Sequence, residues 1–253
     1  MIPKDHPRYE SLMIRERLVE GVREGVVVLE GLIAHGRGEA FDYLIGERSP
    51  EVMDGAYRAA AAMLLLAKDP VISVNGNVAA LCPKEVVELA REANSKLEVN
   101  LFHRSRERAE RIAEVLKRSG AEEVLGVEPD EELEGLSSER RKVSSRGIYG
   151  ADVVLLAIED GDRTEALVRL GKKVIAIDLN PLSRTSRMAT VTIVDNVIRA
   201  FPRLKKEVRE LREEGEGRLS DLVSSFDNKK SLKSCLEFIS RRLRELELEK
   251  ADR

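Results

Sequence analysis

Apolar residues recur along this chain in two rhythms. Short, mainly apolar runs at residues 71–74, 97–102, 151–158, 174–177 and 190–194, of which 174–177 is unbroken, predict buried strands of the kind found in parallel sheets. A weaker run at 124–127 predicts one more brief strand. Between them, apolar residues fall at helical spacing. That spacing predicts helices over 8–23 (Leu12, Met13, Leu18, Val19 and Val22), 50–68, 83–93, about 103–120, about 162–170, 197–213, 219–226 and 231 to about 248. Ser49 is expected to cap the helix at 50–68, with Pro50 in its first position. Residues 26–33 are apolar and expected to be buried. Residues 128–150 are polar and weakly periodic, and read as a long loop or a flap.

Strand and helix patterns that alternate imply an α/β fold: a Rossmann-like, mostly parallel sheet flanked by helices, with additional N- and C-terminal helices. One domain over residues 1–253 is expected, with N-terminal helices at about 8–68, a sheet core at about 70–196 and C-terminal helices at about 197–250. The last helix carries the stripe Leu232, Cys235, Leu236, Phe238, Ile239, Leu243 and Leu246, which must pack on the sheet layer or on a partner subunit.

In such sheets ligands bind where loops leave the C-terminal ends of strands, and the polar residues of this chain concentrate there. The stretch after 174–177 carries Asp178, Leu179, Asn180, Pro181, Ser183, Arg184, Thr185 and Arg187; the next strand ends at Asp195-Asn196. Asp suits ribose hydroxyls and Arg suits phosphates, but the same residues also fit an ordinary turn with surface arginines. In HGRGEAFDYLIGE, residues 35–47, Gly36 and Gly38 flank Arg37. They suit either close approach to a ligand or a helix–helix turn, and the order of a Walker A loop is absent. His35 is either a general base or a half-buried structural residue. Asn75, Gly76 and Asn77 follow a strand and offer amides and backbone N–H groups to a phosphate or carboxylate, or simply make a tight turn. Arg104 and Arg106 oppose the dipole of the helix they introduce, so they hold an anion or pair with Glu107 and Glu110. Glu159 follows another strand and suits Mg²⁺ or a proton, whereas Asp162 reads as a helix N-cap with Glu165 at the capping-box position. Arg15 on the first helix reads as solvated charge.

Composition narrows the class. A hydrophobic content of 42% supports a core, and no apolar run approaches the ~20 residues of a membrane span. No basic-then-apolar leader is seen, so a cytoplasmic location and no membrane partner are expected. Net charge of −3 with interspersed signs argues against nucleic acid as a partner. Cys82 and Cys235 lack metal-ligand spacing. The 35% charged residues and absence of Gln give a thermophile-like composition.

The runs GLIAHGRGEAFDYLIGER, SVNGNVAALCPKE, EDGDRTEALVRLGK and DLNPLSRTSRMATVTIVDN, in this order, closely resemble archaeal phosphopantothenate synthetase, also called phosphopantoate–β-alanine ligase. The resemblance spans nearly the whole chain. It implies a homodimer with a Rossmann-like core that joins 4-phosphopantoate and β-alanine to 4′-phosphopantothenate in coenzyme A biosynthesis. ATP would be cleaved to AMP and pyrophosphate through a phosphopantoyl adenylate. The resemblance further implies that Arg15 and Arg37 contact the ATP phosphates, that Asp178, Leu179 and Asn180 line ribose and base, that Arg184 and Thr185 support the nucleotide, and that Asn196 and Val197 close its pocket. Asn75, Gly76, Asn77 and Arg104 are expected at the phosphopantoate end. Arg37 is expected to act in catalysis from a loop, with Mg²⁺ beside it on ligands left unassigned; His35 and Glu159 are the candidates for taking the amine proton. Three alternatives stay open: another ATP-dependent ligase or kinase, a nicotinamide oxidoreductase (disfavoured because no strand leads into G-x-G-x-x-G), and a non-enzymatic nucleotide-binding regulator.

Overall fold

A computed structural model describes residues 2–6 and 8–245. Pro7, and Leu246 with the end of the predicted last helix, lie outside the described residues. Five parallel strands, β1 (Pro70–Val74), β2 (Lys96–Val99), β5 (Val153–Ala157), β6 (Lys173–Ile177) and β7 (Val191–Ile193), form one sheet in the order β2-β1-β5-β6-β7. Each matches a predicted apolar run: β1, β2 and β6 start one residue earlier, β2 also ends three residues earlier, and β5 and β7 are shorter at both ends. The fold is α/β as expected. The strand order, read as 2-1-3-4-5, is that of flavodoxin-type doubly wound sheets. The brief strand expected at 124–127 reduces to one bridge between Leu125 and Glu98 along the β2 edge.

Both faces of the sheet are covered, which explains the continuous apolar runs. Ile72, Val74, Leu155, Ala157, Ile175, Ile177 and Ile193 face the larger core, built mainly by α3 (Asp54–Leu66), α4 (Gly76–Leu81), α5 (Pro83–Glu92), α6 (Arg106–Arg118) and α9 (Val197–Leu211). Val71, Val154, Leu156, Val174 and Ala176 face a smaller core with α7 (Gly161–Arg169) and Leu133, Val143 and Ile148. The last three come from 128–150, which crosses that face. It holds a two-strand hairpin, β3 (Glu131–Glu132) with β4 (Lys142–Val143), and an irregular turn, Ser145–Tyr149.

Helices α1 (Tyr9–Arg23) and α2 (Leu29–Ile45) precede the sheet; α10 (Glu216–Ser224) and α11 (Asn228–Glu245) follow it. Here several expectations are corrected. The segment around Arg37 is no loop: α2 runs through His35, Gly36, Arg37 and Gly38 without a break. Leu29 and Ile33, expected to be buried, are largely exposed on this helix. Ser49 does not cap α3, which begins after a tight turn at Glu51–Met53, because its hydroxyl is committed to Asp195. The cap of α7 is Asp160, which accepts from the Arg163 N–H at 2.9 Å, so Asp162 and Glu165 form no capping box. Leu232, Cys235 and Ile239 of α11 are buried within the chain, mainly against α2 and the 51–53 turn, so this stripe does not require a partner subunit. Among the described residues no helix is long and apolar enough to cross a membrane.

Candidate active site

In the strand order β2-β1-β5-β6-β7 the order reverses between β1 and β5, the switch point at which doubly wound sheets bind ligands beyond the strands' C-terminal ends. Asn75, directly after β1, spans it. Its Nδ2 donates to the carbonyls of Ala157 (2.7 Å) and Ile158 (3.2 Å), while its Oδ1 caps α4 at the Val78 N–H (3.1 Å). Ile158 has φ of 52°, a left-handed conformation that a β-branched residue adopts only under compulsion. It is the turn that presents two successive carbonyls to one amide.

Helix α2 lies along this edge of the sheet. Near its start, Gly31 accepts from Asn77 Nδ2 at 2.8 Å, beside β1. In its middle, Gly38 faces Leu179, after β6. Near its end, Asp42 accepts from Asn196 Nδ2 at 2.7 Å, after β7. From Gly31 to Asp42 a helix rises about 16 Å, and β1 to β7 is three strand spacings, about 14 Å. One helix therefore meets the ends of successive strands in register.

Of the residues expected around a nucleotide, Asp178, Leu179 and Asn180 follow β6, and Asn196 and Val197 follow β7. Asp178 accepts from the Asn180 N–H (2.9 Å) and from Ser183 Oγ, so it shapes its own loop. Burial pushes its carboxyl above the usual range, against the pull of Ser183, Asn180, Ser186 and the Arg37 guanidinium. Arg37 is exposed on α2, with that carboxylate in its field. Arg15 projects from α1 to Glu39 (2.8 Å) and Tyr43 (3.1 Å) of α2. Arg184 opens the short helix α8 (Arg184–Met188) but is paired with Asp162 and Glu165. Thr185 is buried and donates to the Glu159 carbonyl at 3.0 Å, which joins the β5 and β6 loops. Asn196 caps α9 at Ile198, and Val197 is buried behind it. His35 is nearly buried on α2. Burial holds its pKa below the usual value and keeps it neutral near pH 7, although Glu39 and Asp42 oppose this.

At the β1–β2 end, the groups offered to a second ligand are largely engaged. The Asn75 and Asn77 amides bind the protein as described, and Gly76 lets Val26 and Arg108 approach where a Cβ would not fit. Arg104 Nη2 donates to the carbonyls of Gly126 and Val127, both at 2.7 Å, and its Nη1 is buried without a partner. Arg106 pairs with Glu110, one of the two partners the sequence offered, and with Glu128 in place of Glu107.

Glu159 is not placed to accept a proton from a ligand. Its side chain is 2% exposed and lies between Arg140 (2.9 Å) and Arg163 (2.6 Å). Burial raises its hold on a proton and the two guanidiniums oppose that. It is the hub of a buried ion cluster that ties the 128–150 segment to β5, α7 and, through Arg163 and Ser73 (3.1 Å), to β1. Beside it, Glu98 on β2 accepts the N–H groups of Ser144 (3.0 Å) and Ile148 (2.6 Å). Gly147 leaves room for this carboxylate: a Cβ there would stand 1.9 Å from Glu98 Oε2. Burial lifts the Glu98 pKa to about 7.

Sequence reasoning did not find Asp42, Asp195, Arg199, Arg140 or Arg163. Asp42 and Arg140 meet partners far off in the chain; Arg163 and Arg199 pair four residues back, with a residue before their own helix, and a lone charged residue reads as solvated surface. The Asn after β7 and the Glu after β5 were the nearest signals. Among the described residues no group of three His, Cys, Asp or Glu side chains offers a metal cage.

The sequence matches the family described as phosphopantothenate/pantothenate synthetase over residues 52–242. It is 56% identical over 246 residues to the 4-phosphopantoate–β-alanine ligase of Thermococcus onnurineus, covering 97% of this chain and 94% of that protein. It is 56% identical to the protein of the same name from Methanosarcina mazei (98% of both chains) and 47% identical to that of Methanospirillum hungatei (96% of this chain, 98% of the relative).

Proposed function

The chain belongs to the phosphopantothenate/pantothenate synthetase family, and on that premise we propose that it is an ATP-dependent ligase joining 4-phosphopantoate to β-alanine in coenzyme A biosynthesis. The observation that carries this reading is the near full-length likeness to ligases of that name. The geometry supports it: Arg37 has the Asp178 carboxylate in its field, Gly38 faces Leu179, and Asn196 donates to Asp42, all along the same helix α2.

A carboxylate is a poor acyl donor because oxide leaves badly. One carboxylate oxygen of phosphopantoate attacks the α-phosphorus of ATP, the bond to the β-phosphate oxygen breaks, and pyrophosphate leaves. The β-alanine nitrogen then attacks the acyl carbon, AMP departs with that carboxylate oxygen, and the amine loses a proton. The ion pairs of Glu159 speak against its taking this proton. The neutral imidazole of His35 is the titratable group on α2 that remains suited to it. Arg15 and Arg37 hold the triphosphate and stabilise the charge that moves onto pyrophosphate. Mg²⁺ fits a role on the phosphates, where it keeps most of its waters and needs few protein ligands; it would neutralise phosphate charge. Asn75, Gly76, Asn77 and Arg104 remain our assignment for the phosphopantoate end, through backbone N–H groups and the unpaired Arg104 Nη1.

We place the enzyme in the cytoplasm as a homodimer. Leu29 and Ile33, one turn apart and each about two-thirds exposed on α2, give an apolar strip for a second copy to cover. Light scattering at micromolar concentration tests this, and a monomer refutes it.

The reaction is tested with phosphopantoate carrying ¹⁸O in its carboxylate. Label in AMP is expected. Label in inorganic phosphate, with ADP as the other product, would exclude the adenylate route.

A further inference from the structure

We propose that Asp42 and Arg199, with Asp195 behind them, are positioning residues for the nucleotide end of the site: they orient the Asn196 amide and hold α2 against the end of β7. This rests on reading that end as an ATP site.

The cluster is built from three separate parts of the chain. Asp42 on α2 and Asp195 after β7 are 5% and 1% exposed. Arg199, in the first turn of α9, bridges them: Nη2 lies 2.5 Å from Asp42 Oδ1 and 2.8 Å from Asp195 Oδ1, and Nε donates to Asp195 Oδ1 at 2.9 Å. The other Asp195 oxygen accepts from Tyr57 Oη at 2.7 Å and from Ser49 Oγ. The Asn196 backbone N–H completes the shell at 2.7 Å.

Two buried carboxylates around one guanidinium are an expensive way to join helices, since apolar contacts join them at lower desolvation cost. What the ions add is direction. A carboxylate only accepts, so Asp42 compels Asn196 to turn Nδ2 towards it. That turn leaves Oδ1 at the start of α9, where it accepts from Ile198 at 3.3 Å. The Asp42 carboxylate itself is fixed by the Arg199 fork. Arg37, just over one turn before Asp42 on the same helix, inherits its place along the strand ends from this tie.

The test uses the intact protein, with ATP binding measured by calorimetry in the presence of Mg²⁺ and a separate KM for each substrate. In Asp42→Asn, Kd and KM for ATP should rise about tenfold, the scale seen when a group orienting a ligand-binding residue is lost. KM for the acid and the amine should hold, and kcat should fall less than KM for ATP rises. Asp42→Asn combined with Arg199→Gln should be no worse than the more affected single variant, because residues of one network are not additive. Tyr57→Phe, which removes one donor to Asp195 away from the cleft, should shift ATP binding in the same direction by a smaller factor. Should Asp42→Asn not fold, Arg199→Lys carries the same comparison with the charge kept.

Unchanged ATP affinity in a folded Asp42 or Arg199 variant overturns the proposal, and so does an equal rise in KM for all substrates. A wild-type protein that binds ATP but forms no amide defeats the ligase reading alone, because the binding comparison still stands. A wild-type protein that does not bind ATP defeats both.

Discussion

Gly31 and Asn77 are fitted to each other: the Asn77 amide donates to the Gly31 carbonyl at 2.8 Å, and its oxygen stands 2.4 Å from where a Cβ on Gly31 would be. Gly31→Ala must therefore displace the amide. It should cost about 1–3 kcal/mol in chemical denaturation, the usual range for a lost buried hydrogen bond and local overpacking. Gly36 is the internal control. A Cβ there meets nothing within 4 Å, so Gly36→Ala should stabilise by up to about 1 kcal/mol through helix propensity alone. Destabilisation by Gly36→Ala would show that this turn is not helical in solution.

Arg37 is exposed on a helix that continues on both sides of it. Arg37→Ala should leave the midpoint of unfolding nearly unchanged while kcat/KM drops by the equivalent of about 2–4 kcal/mol. Arg37→Lys should also be impaired, since an ammonium lacks the guanidinium fork. Full activity of Arg37→Ala would remove the residue from the site.

Glu159 gives the opposite pattern. Glu159→Gln leaves Arg140 and Arg163 without their shared counter-ion. It should destabilise by about 3–5 kcal/mol, the range for breaking a buried ion pair from one side. A variant with wild-type stability and an altered pH–rate profile would instead restore Glu159 as a proton acceptor.

Glu98 makes stability depend on pH. Its folded pKa, about 7, lies above the ordinary 4.5 because of burial. Between those values the folded state binds more proton than the unfolded one, so this residue's contribution falls as pH rises from 4.5 to 7 and is level above. The full swing is about 3 kcal/mol. Subtracting the unfolding free energy of Glu98→Gln from that of the wild type at each pH isolates it. A difference that stays constant across the window would contradict the buried, proton-holding carboxylate.

The strands were readable in sequence because burial on both faces leaves few polar interruptions: none in Val174–Ile177, and in β2 the single buried Glu98 after Lys96 at its edge. Helix α2 was not. Gly36 and Gly38 are poor helix formers, and Leu29 and Ile33 break the expected match between apolar and buried. The helix is held instead by His35, Asp42 and Ile45 on its inner side, and two of those three are polar. The nucleotide residues came from family likeness. Spacing alone left the stretch with Arg184 and Asn196 open between a nucleotide loop and an ordinary turn. The Asn75 amide was anticipated at the ligand edge, but its bonds to Ala157 and Ile158 depend on strand order, which no local pattern encodes.

Those Asn75 bonds have a mechanical consequence. The split between β1 and β5 is where the two halves of a doubly wound sheet would most easily hinge apart. Asn75 rivets it, and Thr185 fastens the next joint by reaching the Glu159 carbonyl. The strand ends thus act as a fixed jaw. Helix α2 meets that jaw at Gly31 and Asp42, with α1 and α11 packed against it, and forms the opposing jaw. Release of the Asp42 tie would open the nucleotide end first and leave the β1 end closed, so the two substrates need not leave by the same motion.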